Sequence, residues 1–259
     1  MSVQSIDRAF DIIELLSQEP RSIAMTEISR RLDLHKSTVH RLLKSLRERG
    51  YVEKDLQTGN YKLGIGFVEL ASLYLNSLEL KTEANPFLHQ LSKLTGQTAF
   101  LAIMDGAEIV YIDKVETYNS LRRYTIIGKR LPLHATSLGK AMLSGFGDKE
   151  IEELYFDKKL VTINKKTIAT IDDLLAEIRQ TRSRGWSIDD EENEKGTRCV
   201  GAPIFDYRDR VIAAVSIAWD INTHPDKLWN DFAKQVVKCA ADISAKMGCP
   251  RSRIRQFTG

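Results

Sequence analysis

The sequence predicts an α+β protein in two domains joined by a helix, and three observations carry that prediction. Three short helical periods near the N-terminus close on Gly50 and run directly into two short alternating strands. A mostly apolar helical stretch, Phe67 to Leu75, comes next. Beyond it, strands follow one another in hairpin order, with helices before, between and after them. A length of 259 residues exceeds one average domain of about 100–200 residues. The expected division is 1–65 for the first domain, 66–79 for the linker helix and 80–259 for the second domain.

The first helix begins at Ser5, a good N-cap with Asp7 in the first turn, and buries Ile6, Ala9, Phe10, Ile13 and Leu16 before ending near Pro20. Thr26 to Leu32 forms the second. After Asp33-Leu34-His35 comes the third, with Val39, Leu42, Leu43 and Leu46 on one stripe and Gly50 as its left-handed C-cap. A tight connection before the last helix reads as helix-turn-helix. Tyr51 to Lys54 and Tyr61 to Leu63, joined through Gln57-Thr58-Gly59-Asn60, add a hairpin. The whole is a winged helix. In the second domain the expected order is a helix (Leu80 to Thr95), strands (Thr98 to Met104, Glu108 to Val115, Arg122 to Ile127), helices through Gly185, strands (Cys199 to Phe205, Val211 to Ala218) and a last helix to Met247.

Composition excludes several classes. With 42% hydrophobic and 28% charged residues the chain is neither disordered nor membrane-spanning, and Asp7, Asp11 and Glu14 interrupt any secretory leader. The expected location is the cytoplasm, away from membranes. Three cysteines, Cys199, Cys239 and Cys249, match neither a zinc spacing nor a disulfide framework, so no metal is expected.

Between His35 and Arg49 five basic residues face one acid, a net charge of +4, against +3 for the whole chain. With the apolar stripe inward, Ser37, Thr38, His40, Arg41, Lys44 and Ser45 lie on or beside the outer face, and Lys36 of the basic cluster precedes them. These side chains can reach base edges and phosphates in a major groove, so double-stranded operator DNA is the expected partner. Gln57, Asn60 and Lys62 of the hairpin suit backbone or minor-groove contacts. A solvated basic face is the plainer reading of such a helix; its place in a helix-turn-helix with a wing argues against that.

In the second domain, chemistry concentrates in Gly128 to Ala141, where Thr136 or Ala135 starts a short helix whose free N–H groups favour anions. Gly139-Lys140 is similar to part of a phosphate-binding loop, but His134 and Ala141 occupy the positions of its glycine and its Ser/Thr, so no nucleotide cofactor is expected. The acidic run Asp189 to Glu194 is read as a loop leading into the strand that bears Cys199, with some acids turned inward. Arg123, on the strand Arg122 to Ile127, is placed to pair with a ligand carboxylate.

Together these segments resemble the isocitrate lyase regulator (IclR) family over nearly the whole length. The resemblance rests on Ile6-Asp7-Arg8-Ala9, Lys36 to Leu43, Gly50-Tyr51-Val52, Tyr61-Lys62-Leu63-Gly64 and Leu133 to Ala141. It implies a winged helix-turn-helix, a dimerising linker helix and a GAF-like α/β effector domain, as a homodimer or a dimer-of-dimers tetramer. It implies a small anionic effector, a keto acid, sugar acid or aromatic acid, lying against Ser137, Leu138 and Gly139 and touching Asp189 and Cys199. Leu131, Thr136 and Thr197 complete the candidate set. Family members often carry Gly or Ala where this chain has Ser137 and Leu138, which alters the pocket floor. Function then follows as a ligand-responsive transcription regulator, a repressor of a catabolic operon, and not an enzyme. Two other readings stand beside it: a second domain that only oligomerises, and an enzyme using a Cys199/His134 pair.

Overall fold

Helix α1 (Gln4–Gln18) buries Ile12 and Leu16 and leaves Ile6 and Phe10 largely exposed. Its N-cap is Val3 rather than Ser5, which lies inside the first turn, so the expected hydroxyl cap is not formed. The computed structural model describes residues 3–19, 21–77, 79–116, 126–223, 229–250 and 252. It separates into two units, Met1–Leu78 and Glu79–Gly259.

In the first unit α2 (Met25–Arg31) and α3 (Lys36–Glu48) meet through a turn in which Asp33 takes φ +49°. The Leu34 N–H donates to the Ser29 carbonyl at 3.0 Å, and the Ser29 hydroxyl donates to the Leu34 carbonyl at 2.6 Å. Strands β1 (Val52–Lys54) and β2 (Tyr61–Leu63) pair antiparallel. Ile23 forms a single-residue bridge to β2, exchanging both backbone hydrogen bonds with Tyr61 at 2.8 Å. Ile12, Leu16, Ile28, Val39, Leu43 and Tyr61 share one core. Helix α4 (Gly66–Ser77) starts hard against the end of α3: a Cβ on Gly64 would lie 2.2 Å from the Gly50 carbonyl oxygen. Val68, Leu70, Leu73 and Tyr74 on α4 are all more than half exposed.

Among the described residues the second unit carries a six-stranded antiparallel sheet in the order β5-β4-β3-β8-β7-β6. Its strands are β3 (Thr98–Asp105), β4 (Glu108–Val115), β5 (Arg130–Pro132), β6 (Ser187–Asp190), β7 (Thr197–Phe205) and β8 (Val211–Asp220). Helices α5 (Glu79–Thr95) and α9 (Trp229–Lys246) cover one face. A 3-10 turn (Leu133–Ala135) and α6 (Ser137–Leu143) cover the other, backed by α7 (Asp148–Leu154) and α8 (Ile171–Arg184). Strand alternation sends Phe100, Tyr111, Cys199, Ser216 and Ala218 toward α6, while Leu101, Val215 and Ile217 pack away from it.

Two strand assignments change. Ile126 and Ile127 are not in a strand, and 122–125 fall outside the described residues; the edge strand is Arg130–Pro132, paired with β4. The acidic run is not wholly a loop, because Asp189 and Asp190 end strand β6, which pairs Asp189 with Cys199. No helix among the described residues is long and apolar enough to cross a membrane.

Candidate functional site

The basic face of the first unit follows from α3's periodicity. Val39, Leu43 and Leu46 are buried, so Lys36, Ser37, His40, Arg41 and Lys44 project outward, and Thr38 is half-buried at the edge. Lys44 sits 3.9 Å from Glu48, whereas Arg41 makes no ion pair among the described residues. In the wing the Asp55 carboxylate accepts N–H bonds from Gln57 at 2.8 Å and Thr58 at 2.9 Å, which holds its acid below the usual carboxylate range. Gly59, at φ +75°, closes the turn. Gln57 is exposed at the tip, Asn60 is half-buried, and Lys62 is held 3.2 Å from Glu53.

In the second unit a pocket of about 450 Å³, counted out to its mouth, opens between α6 and the sheet. Thr136, Ser137 and Leu138 form one wall, and Leu131, Asp189, Thr197 and Cys199 come from the strands opposite. Gly139 is not on the lining; it packs against the 3-10 turn, where a Cβ would meet the Leu133 carbonyl oxygen at 2.1 Å. Arg123 lies outside the described residues. The cation the structure puts on the pocket wall is Lys129, in the connection before β5, with Phe100 and Tyr111 supplying aromatic surface. Lys129 belongs to the Gly128 to Ala141 run, but nothing in its spacing marks it as pocket-facing.

The start of α6 is less available to anions than its sequence suggests. Thr136 is the N-cap and its Oγ1 accepts the Gly139 N–H at 3.0 Å. With seven residues the helix also sums few peptide dipoles.

Behind the wall lies a buried ion pair that no sequence pattern announces. Lys140 is fully buried, and its Nζ donates to Glu192 Oε1 at 2.5 Å, while Glu192 Oε2 has no partner. Asp189, 3% exposed, accepts the Glu192 N–H on Oδ1 at 2.8 Å and, less closely, the Asn193 N–H at 3.4 Å. Burial pushes the Asp189 acid up to about 7 against the pull of Lys140, and burial likewise raises Glu192. Asn164 and Thr167 donate to the Glu192 carbonyl, at 3.0 and 2.7 Å, and fasten the turn after β6.

His134 is also buried. Its Nε2 meets the Val161 carbonyl at 3.1 Å and Nδ1 has no partner, so the imidazole is engaged away from the pocket that Cys199 lines. Among the described residues no group of three or more His, Cys, Asp or Glu side chains is arranged to hold a metal ion.

Comparison with known proteins agrees with this two-part construction. The family model "IclR helix-turn-helix domain" matches residues 5–56, and "Bacterial transcriptional regulator IclR C-terminal" matches residues 72–245. The HTH-type transcriptional regulator XynR of Escherichia coli (strain K12) is 36% identical over 96% of this chain and 98% of its own. The transcriptional repressor IclR of the same organism is 32% identical over 95% and 90%. The crystal structure of the Thermotoga maritima IclR superposes with a TM-score of 0.82 at 30% identity, covering 95% of this chain and 99% of its own. An IclR homolog from Microbacterium hydrocarbonoxydans, complexed with 4-hydroxybenzoate, shares the fold with a TM-score of 0.80 at 21% identity, covering 94% and 98%.

Proposed function

The chain belongs to the IclR family of bacterial transcriptional regulators, and on that premise we propose that it represses a catabolic operon and releases or tightens on its operator when a small anion fills the pocket under α6. The relatives reported above are transcription regulators rather than enzymes, and one is named a repressor. The observation that carries the ligand half is a pocket with a buried carboxyl, Asp189, and a cation, Lys129, on its wall.

In this reading Ser37, Thr38, His40 and Arg41 read base edges, while Lys36, Lys44, Gln57, Asn60 and Lys62 hold phosphates and the adjacent groove. The ligand is a keto acid, sugar acid or aromatic acid. Lys129 neutralises its carboxylate, with Arg123 the other candidate, and Ser137, Thr136, Thr197 and Asp189 meet its remaining oxygens. Leu131, Leu138 and Cys199 shape the apolar part, and Gly139 lets α6 close on the turn before it. The exposed apolar side chains of α4 need cover, and two half-sites need two winged helices, so a homodimer or a dimer of dimers forms through the linker at 66–79. The reader domain then ends near residue 65 and the effector domain begins near 80. Its place of work is the cytoplasm.

A ligand shifts DNA affinity only by the difference in its affinity for the two states. The test is a gel shift on DNA from upstream of the protein's own gene, at fixed salt, with gluconate, pyruvate and 4-hydroxybenzoate titrated in. A specific complex that one of these acids weakens or strengthens is expected. Failure to prefer that DNA over a scrambled fragment would overturn the regulator reading. If thermal shift across a broad panel of keto, sugar and aromatic acids finds none bound, the reading of a second domain that only oligomerises takes precedence.

A further inference from the structure

We propose that Asp189 meets the ligand as a neutral carboxylic acid, donating a hydrogen bond into the pocket, and that Glu192 is the positioning residue that keeps its proton in place, by holding the Lys140 charge that would otherwise draw it off. The inference rests on the reading of this pocket as the ligand site.

The argument starts from a charge count. The buried layer between α6 and the turn after β6 holds one cation, Lys140, and two carboxyl groups, Asp189 and Glu192, at 0%, 3% and 9% exposure. An ion removed from water must be matched by an opposite charge, and one cation matches one carboxylate. The layer is neutral only if one acid keeps its proton. Lys140 Nζ lies 2.5 Å from Glu192 Oε1, so Glu192 is the ionised partner and the proton falls to Asp189. The N–H bonds that Asp189 accepts favour its charged form, yet burial outweighs them.

The remaining charged and titratable groups do not reverse this. Around Asp189 stand Glu192 and Glu194 from the turn, Cys199 from β7 and Lys140 from α6, with Lys129 on the same pocket wall. One layer further, Glu177 of α8 acts on Glu192, and His134 feels Lys140. Lys129 is exposed at the mouth and hydrated, so its pull on the buried acid is weak. An ionised Asp189 would repel an anion in a pocket this small, whereas a protonated one donates to it. The pocket thus selects ligands that place an acceptor oxygen, a carboxylate foremost, against Asp189. Because the anion favours the protonated form, its binding takes up a proton from solvent once the pH exceeds the point at which the empty pocket ionises.

The test uses the full-length protein without ligand, unfolded by urea between pH 5 and 8.5, as wild type and as D189N. The folded protein holds a proton that the unfolded chain has released. Raising the pH should therefore cost wild type about tenfold in its folding constant per pH unit relative to D189N, until Asp189 ionises near neutrality and the difference levels off. In E192Q, Lys140 is freed to pair with Asp189, and the levelling-off moves to lower pH. If E192Q does not fold, K140M/E192Q removes the pair as a unit, and the levelling-off moves to higher pH. A flat relative profile, or wild type gaining on D189N as pH rises, overturns the protonated Asp189. A levelling-off that neither variant moves overturns the role of Glu192. These measurements contain no ligand, so their failure is distinct from a failure of gluconate, pyruvate or 4-hydroxybenzoate to bind.

Discussion

The Ser187 hydroxyl on β6 donates to the Ser137 carbonyl at 2.5 Å, so the strand that carries Asp189 and the helix start that carries Leu138 are tied by one buried hydrogen bond. The contact is close because Gly201 on the neighbouring strand has no side chain: a Cβ there would lie 2.8 Å from the Ser137 backbone. Replacing Ser187 by Ala removes this bond, while the Ser137 carbonyl keeps its place in the helix ladder, and should cost about 0.5–1.5 kcal/mol. Replacing Gly201 by Ala forces α6 off the sheet at about 1–3 kcal/mol. Urea unfolding measures both, and S187A should also weaken whatever ligand fills the pocket.

Arg41 is exposed on α3 with no ion pair among the described residues, so its removal leaves the fold intact. R41A is expected to lose about 1–3 kcal/mol of operator affinity if it reads a base. If it holds a phosphate instead, specific and non-specific binding weaken together and the salt slope drops by about one. Binding isotherms at several salt concentrations separate the cases; unchanged operator affinity would remove Arg41 from the interface.

Asp33 holds the helix-turn-helix corner at φ +49°, a conformation that Asp tolerates and a β-branched residue does not. D33G should be neutral or slightly stabilising. D33V should cost about 1–2 kcal/mol and lower operator affinity by disturbing the entry into α3. Thermal unfolding of the two variants checks the sign, and a D33G protein less stable than D33V would refute the backbone explanation.

The parts of the molecule governed by local periodicity were legible in the sequence. The stripe Val39, Leu43, Leu46 placed α3's basic face, and the glycine turn placed the wing. What was not legible depended on pairing across the chain. Strand β5 is three residues long and owes its existence to Glu108–Val110 beside it, and β6 is an acidic sequence that becomes a strand only by pairing with Arg198–Gly201. The N-cap missed at Ser5 is a local matter: the helix already begins at Gln4, and a hydroxyl cap is a preference rather than a requirement. Lys140 seemed part of an incomplete phosphate loop because spacing carries no information about burial. Its partner, Glu192, is 52 residues away.

His134 supplies a pH dependence whose sign can be worked out. It is 2% exposed, its Nε2 faces the Val161 carbonyl at 3.1 Å and its Nδ1 is buried without a partner, so the folded protein holds a neutral ring with the hydrogen on Nε2. Burial, aided by the Lys140 charge, lowers its pKa below the ordinary 6.5. Above that value both folded and unfolded chains carry a neutral ring, and the residue adds no pH dependence. As the pH falls below it, the unfolded chain binds a proton that the folded protein refuses, and stability drops by up to about 1.4 kcal/mol per unit until the buried ring itself protonates. H134Q keeps an N–H donor for Val161 but does not titrate. Wild type and H134Q should therefore run parallel above pH 7 and diverge below 6.5, with wild type losing more. Asp189, whose raised pKa stabilises the folded protein in acid, is present in both proteins and cancels from the comparison. Should wild type gain on H134Q in acid, the ring must be charged in the folded state, and the Nε2–H to Val161 assignment would be wrong.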